Sequence, residues 1–98
     1  MTDASGPTAV RAKISVSGRV QGVGYRAFTI RVATQRGLVG GVTNTDDGRV
    51  EVEAEGPKDR ILSLIEDLKV GPPAAHVTAV QVEWATATGR HTEFRVWY

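Results

Sequence analysis

The 98-residue chain contains no cysteine, which excludes disulfides, zinc–thiolate sites and thiol nucleophiles. Aromatic residues make up only 6% of it, and no apolar run approaches the length of a membrane-spanning helix. The 12 basic and 11 acidic residues leave a formal net charge of +1, which is too balanced to indicate a nucleic-acid or membrane partner. Without a covalent cross-link, the stability of a chain of this size depends on the packing of one modest hydrophobic core.

The N-terminal residues lack the basic and apolar segments of a secretory signal, so we expect a cytoplasmic protein. Residues 1–9 are mostly small and polar and include the pair Gly6-Pro7, a composition that predicts a flexible tail. Residues 10–98 show no internal repeat and no linker, so we expect them to form a single domain.

Apolar spacing divides residues 10–98 into five strands and two helices. The predicted strands cover Val10–Ser17, the two arms of a hairpin around Asp47-Gly48, Val77–Ala85 and Phe94–Tyr98. The first predicted helix covers Tyr25–Arg36. The second has Pro57 in its first turn and stops at Gly71. Each strand has one apolar and one polar face. The order βαββαββ therefore predicts an α+β fold, namely a ferredoxin-like βαββαβ unit plus a C-terminal strand, with a mostly antiparallel five-stranded sheet and two helices on one face.

The segment GRVQGVGYR, Gly18 to Arg26, holds three glycines in nine residues and no Ser, Cys, His, Asp or Glu. Between a strand and a helix, such glycines let successive N–H groups point into one concavity that binds anions. Arg26 in the first helical turn opposes the helix dipole at a cost of about 0.3–1 kcal/mol. A bound anion would remove that conflict, so the segment predicts a phosphate site; a plain glycine turn with a solvated arginine is the alternative.

Two linked motifs resemble the acylphosphatase family. GRVQGVGYR is similar to its signature G-[KR]-V-Q-G-V-x-[FY]-R, and GLVGGVTNTDDGRVEVEAEG is similar to its second block. The resemblance covers nearly the whole chain from Arg11. It implies an enzyme that hydrolyses acyl phosphates to a carboxylate and inorganic phosphate, with no metal or organic cofactor.

By the same resemblance, Arg26 binds the phosphate and Asn44 orients the attacking water. The phosphate loop maps onto Arg19, Val20, Gln21, Gly22, Val23, Gly24 and Tyr25, with backbone amides as the ligands. The implied partners are a small acyl phosphate and inorganic phosphate, with no nucleic acid or membrane, and we expect a monomer. A carboxylate leaves without a general acid because its conjugate acid has a pKa of roughly 4–5, so a site without acids, bases or nucleophiles suits this reaction.

The chain departs from the family pattern at two positions of interest. Gly41 stands where the family usually has tryptophan, and we expect it to remove packing beside Asn44 and loosen that strand. Gly24 replaces a residue that is commonly cysteine or aromatic, and we expect a more mobile loop.

The remaining polar residues indicate structure rather than chemistry. His76 and His91 lack a companion at ligand spacing and are predicted to be surface residues in loops. The alternating residues Glu51, Glu53 and Glu55 predict a solvated sheet face, with Arg11 and Lys13 available to pair across it.

Two other functions use the same architecture. A single-stranded RNA-binding module needs exposed aromatic residues on its sheet, but here that face carries Arg11, Lys13 and glutamates, with Trp97 as its one plausible aromatic. A module that binds phosphate or carbamoyl phosphate without turning it over remains open because of Gly41.

Overall fold

The computed structural model of the chain describes residues 9–98, in five strands and two helices. The strands are β1 (Ala9–Arg19), β2 (Val39–Asn44), β3 (Val50–Pro57), β4 (His76–Thr86) and β5 (Phe94–Val96), and the helices are α1 (Tyr25–Gln35) and α2 (Lys58–Val70). The predicted tail lies outside the described residues except for Ala9, which begins β1.

The strands form one sheet in the order β4-β1-β3-β2-β5. All neighbours are antiparallel except β2 and β5, which run parallel. The central strand β3 pairs Val50 with Val16 on one side and with Asn44 on the other. The ends of β1 and β2 therefore lie near the same edge of the sheet, about 10 Å apart at two strand spacings.

One face of the sheet packs against the helices because alternate strand residues are apolar. The buried set comprises Ala12, Ile14, Val16, Val42, Val50, Val52 and Ala54 from the sheet and Ile61, Leu64, Ile65 and Leu68 from α2. Helix α1 contributes Tyr25, Thr29 and Ala33. The predicted architecture, with two helices on one face, is confirmed.

The element boundaries differ from the predictions in small ways. Pro57 is the N-cap of α2 in an extended conformation, one residue before the first turn, because β3 continues as far as this proline. The last strand ends at Val96 instead of Tyr98, since its ladder with β2 covers only residues 40–42. No helix among residues 9–98 is long and apolar enough to cross a membrane.

Candidate active site

The loop between β1 and α1 presents backbone donors without acceptors. Gly22 and Gly24 have φ of 75° and 81°, a left-handed conformation that glycine adopts without a steric penalty. Gly24 caps α1 without a side-chain hydrogen bond. Among residues 9–98, no protein group accepts a hydrogen bond from the amides of Val20 to Ala27, and Phe28 makes the first bond, to the Gly24 carbonyl, at 3.1 Å. These amides are free to bind an anion.

Arg26 lies in the first turn of α1 and is partly buried. Its guanidinium forms no ion pair or side-chain hydrogen bond with another residue of the described part of the chain. The first turn of α1 contains no acidic residue. The positive end of the helix dipole and this guanidinium therefore reinforce each other at the loop, as an anion site requires.

Asn44 is the last residue of β2 and lies on the face of the sheet that the helices cover, in register with Val50. Its Oδ1 atom is buried and has no hydrogen-bond partner among residues 9–98. Buried polar atoms are nearly always hydrogen-bonded, and an exception indicates a missing water or ligand. The carboxamide is therefore available to hold a water molecule.

The side chain of Gln21 joins the loop to the hairpin beside Asn44. Its Nε2 donates to the carbonyls of Thr45 and Arg49, both at 2.8 Å. Both Nε2 hydrogens are thus used, so only the backbone amide of Gln21 remains for an anion. The Gln21 side chain therefore connects the loop to the hairpin. The sequence alone assigns Gln21 only to the loop.

The side chains of Val20 and Tyr25, on either side of the loop, are engaged in the core. Val20 and Tyr25 are buried in the core, and the Tyr25 hydroxyl donates to the Leu68 carbonyl at 2.6 Å. Burial raises the pKa of this phenol, so it stays protonated and keeps the start of α1 attached to the end of α2. Arg19 is the exposed last residue of β1, and its backbone is in register with that of His76 in β4.

Hydrogen bonds within the hairpin turn hold the residues that follow Asn44. The Thr45 amide donates to the Arg49 carbonyl at 2.9 Å. Hydrogen bonds from the Thr45 hydroxyl and the Arg49 guanidinium lower the pKa of Asp47. The Arg49 guanidinium also bonds the Ser15 hydroxyl of β1. Asp47 is therefore a turn residue, as its position beside Gly48 predicts.

Glu53, Glu55 and His91 form the one group of described residues whose side chains could together hold a metal ion, with ligand atoms within 4.8 Å of one another. However, both oxygens of Glu55 accept hydrogen bonds from Thr88, and Oε1 also accepts one from Gly89. Arg11 lies 3.3 Å from Glu53. These groups already compensate the carboxylates, so the cluster is structural.

Two predictions about this cluster are wrong. Glu55 is 4% exposed instead of solvated, because residues 87–91 fold over it. His91 lies in a loop, as predicted, but it is half-buried instead of a surface residue, with its ring 5.4 Å from that of Trp97 and its Nε2 3.9 Å from Glu55. The predicted pairing of Arg11 with a glutamate across the sheet is confirmed.

The expectation that Gly41 removes packing is also wrong. Gly41 is buried, and a Cβ built on it would lie 2.0–2.5 Å from three atoms of the Trp97 indole. The space beside β2 is therefore filled by Trp97, the residue that follows β5. Two features of the sequence pointed to this contact: a glycine stands at position 41 where a tryptophan is usual, and Trp97 is the one aromatic residue assigned to that face. That the two residues are close depends on the parallel pairing of β2 and β5.

Comparisons with known proteins agree with the resemblance in the sequence. A sequence model of the acylphosphatase family matches residues 12–96. An acylphosphatase of Thermus thermophilus is 53% identical over 74 residues, which cover 76% of this chain and 84% of that protein.

Solved structures agree as well. The chain is similar to an acylphosphatase from Bacillus subtilis with a TM-score of 0.88 and 43% identity, over 91% of this chain and 99% of the other. It is similar to an acylphosphatase from Coxiella burnetii with a TM-score of 0.91 and 34% identity, over 98% and 100% of the two chains.

Proposed function

The chain belongs to the acylphosphatase family, and from that premise we propose that it hydrolyses the carboxyl–phosphate bond of acyl phosphates without a metal, using Arg26, Asn44 and the backbone of the glycine loop. The products are a carboxylate and inorganic phosphate. The observation that carries this assignment is a set of groups without partners among residues 9–98. The loop amides and the Arg26 guanidinium lie next to a hairpin that bears the buried carboxamide oxygen of Asn44.

Binding of the phosphoryl group is assigned to the loop. The amides from Val20 to Ala27 have no competing acceptor among the described residues, so they can surround the phosphoryl oxygens without breaking existing bonds. Arg26 offers two donors in a planar fork that matches two of these oxygens. In phosphoryl transfer through a loose transition state, such preorganised donors supply most of the catalytic stabilisation.

Asn44 is assigned to the attacking water. Its Oδ1 accepts a hydrogen bond from the water, and its Nδ2 can donate to the water or to a phosphoryl oxygen. Held in this way, the water oxygen lies in line with the bond that breaks. The water attacks phosphorus, the P–O bond to the acyl group breaks, the bonding pair leaves with the carboxylate, and the water's proton passes to a phosphoryl oxygen.

The decisive experiment measures phosphate release from benzoyl phosphate in the presence of a chelator. We expect turnover by the wild-type protein, and losses of about 100- to 1,000-fold in kcat for Arg26→Ala and for Asn44→Ala, since each removes a group aimed at the transition state. Circular dichroism should show that both variants remain folded. Activity that survives both changes would overturn the proposal.

The alternative of a module that binds phosphate without turnover gives a different result. It would bind inorganic phosphate through Arg26, measured by calorimetry, and release none from benzoyl phosphate. Asn44→Ala would then leave the affinity for phosphate unchanged and remove no activity.

The remaining assignments follow from composition and await their own measurements. We expect a cytoplasmic monomer that acts on a small molecule, with residues 10–98 folding as one domain. The exposed face of the sheet carries Lys13, Glu51 and Glu53, and the glutamates would repel a nucleic-acid backbone. Sedimentation of the purified protein tests the monomer, and a mobility shift with single-stranded RNA, expected to be negative, tests the RNA-binding alternative.

A further inference from the structure

The indole of Trp97 lies directly against the backbone of β2. The Gly41 position faces away from the helices, since it pairs with Glu53 of β3. A Cβ on Gly41 would lie 2.0 Å from Cε2 of Trp97 and 2.3 Å from Cδ2, which no real contact allows. Only glycine permits this approach, and the ring therefore covers the strand where a side chain would otherwise project.

The backbone of Trp97 makes the last hydrogen bond on the open edge of β2. The ladder with β5 pairs residues 40–42 of β2, and the Trp97 amide donates to the Val42 carbonyl at 2.8 Å. Beyond that bond β2 continues to Asn44, which is paired only on its other side, with Val50. Trp97 thus holds the free edge of the strand two residues before the carboxamide.

The residues around Trp97 keep the indole in place. His91 packs its ring against the indole at a centroid distance of 5.4 Å and an interplanar angle of 35°. The segment that carries His91 is attached to the sheet through Glu55, which accepts bonds from Thr88 and Gly89 at 3.1 Å. The ring therefore contacts both Gly41 and His91.

We propose that Trp97 is a positioning residue that holds β2 so that Asn44 points its carboxamide at the attacking water. This inference rests on the proposed function of Asn44. The indole of Trp97, the residue that follows β5, occupies the space that a side chain at position 41 of β2 would fill.

The test compares Trp97→Ala with Trp84→Ala. Trp84 is 39% exposed on β4, at the edge of the sheet farthest from β5, so it is a matched control. We expect Trp97→Ala to lower kcat for benzoyl phosphate about tenfold, while KM and the inhibition constant of inorganic phosphate change by less than about twofold, because the loop and Arg26 stay intact. Trp84→Ala should leave all three constants unchanged.

Two further variants keep the test informative if Trp97→Ala unfolds. Trp97→Phe retains a ring over Gly41 and should recover most of kcat. Gly41→Ala leaves Trp97 present but forces it away, and should lower kcat in the same selective way. A lower kcat in Gly41→Ala together with a recovered kcat in Trp97→Phe supports the proposal that the ring over Gly41 positions β2.

Nuclear magnetic resonance gives a readout that does not depend on activity. The side-chain NH2 resonances of Asn44 should shift in Trp97→Ala and stay in place in Trp84→Ala. If the wild-type protein releases no phosphate from benzoyl phosphate, the proposed function fails, and this spectrum alone decides the coupling between Trp97 and Asn44. Any of three results would overturn the inference. The Asn44 resonances could stay in place, folded Trp97→Ala could keep the wild-type kcat, or kcat and phosphate affinity could fall equally.

Discussion

The glycine loop (Gly18–Gly24) and the C-terminal segment (residues 87–97) place polar groups on the same sheet in opposite ways. In the loop and the helical turn after it, the backbone amides from Val20 to Ala27 find no acceptor among the described residues. In the C-terminal segment, the amides of Thr88 and Gly89 both donate to one buried carboxylate, Glu55. The backbone N–H donors of the first region have no acceptor among the described residues, whereas Thr88 and Gly89 of the second donate to a carboxylate of the protein itself.

This contrast shows that residue types alone would direct attention to a region other than the proposed phosphate site. Two glutamates and a histidine beside the C-terminal segment are groups that catalysis and metal binding commonly use, yet Arg11, Thr88 and Gly89 already compensate the carboxylates. The glycine loop has almost no chemistry-bearing side chain, yet its backbone amides from Val20 onward have no acceptor among residues 9–98. Unfilled hydrogen-bonding capacity, not the kind of side chain, distinguishes the two regions.

The sharpest way to break the contrast is to change one arginine beside each region. Arg26→Lys keeps the charge but loses the planar fork, and we expect kcat/KM to fall about 100-fold. Arg11→Lys, in the ion pair with Glu53, should change kcat/KM by less than about twofold, because a partly exposed pair contributes little. Steady-state kinetics with benzoyl phosphate measure both. Equal effects would remove the distinction between the regions.

The next largest effect concerns stability. Burial alone would raise the pKa of Glu55, but the hydrogen bonds from Thr88 and Gly89 outweigh it and lower that pKa. The carboxylate therefore stabilises the fold at neutral pH, and this contribution is lost as pH falls from the ordinary value near 4.5 through the lower folded-state value. Glu55→Gln should cost about 2 kcal/mol at pH 7 and flatten the decline at acid pH.

Urea unfolding at several pH values measures this change, and Glu51→Gln is the control. Glu51 lies on the same strand and face but is exposed, with Arg49 at 3.5 Å, and its loss should cost less than about 0.5 kcal/mol. If both variants lose stability equally, the bonds to Thr88 and Gly89 are not what stabilises the C-terminal segment.

Gln21 tests the link between the two halves of the active site. Gln21→Ala leaves the carbonyls of Thr45 and Arg49 without this donor and frees the hairpin from the loop. We expect kcat to fall about tenfold, equivalent to about 1.4 kcal/mol of transition-state stabilisation. Gln81→Ala, on the exposed strand β4, is the matched change and should have wild-type kinetics.

The smallest effect separates backbone conformation from function. Gly22 and Gly89 have similar φ, 75° and 71°, and open space at the Cβ position. Alanine at either site should cost about 1 kcal/mol of folding stability, since both adopt the left-handed conformation. Only Gly22→Ala should also raise KM, because it lies in the loop; a raised KM in Gly89→Ala would contradict this.

Much of the fold could be predicted because strands and helices have different apolar periods. The hairpin around Gly48, the start of α1 at Tyr25 and the stripe of Ile61, Leu64 and Leu68 on α2 all follow from local spacing. The phosphate site at Arg26 was predicted from the glycine segment and the helix dipole, and the role of Asn44 only from the resemblance to a family; both stay predictions until their variants are assayed. Spacing could not reveal that Glu55 is buried, since its neighbours Glu51 and Glu53 share its pattern.

The sequence by itself determined the order of the elements, the glycine loop ahead of Arg26 and the absence of any thiol, because these depend on local periodicity and residue type. Only the tertiary structure decided that Gln21 reaches the Asn44 hairpin, that Glu55 receives Thr88 and Gly89, and that Trp97 covers Gly41. Each of these contacts joins residues 24 or more positions apart. Such pairs meet only when the sheet assembles in the order β4-β1-β3-β2-β5, which no local pattern encodes.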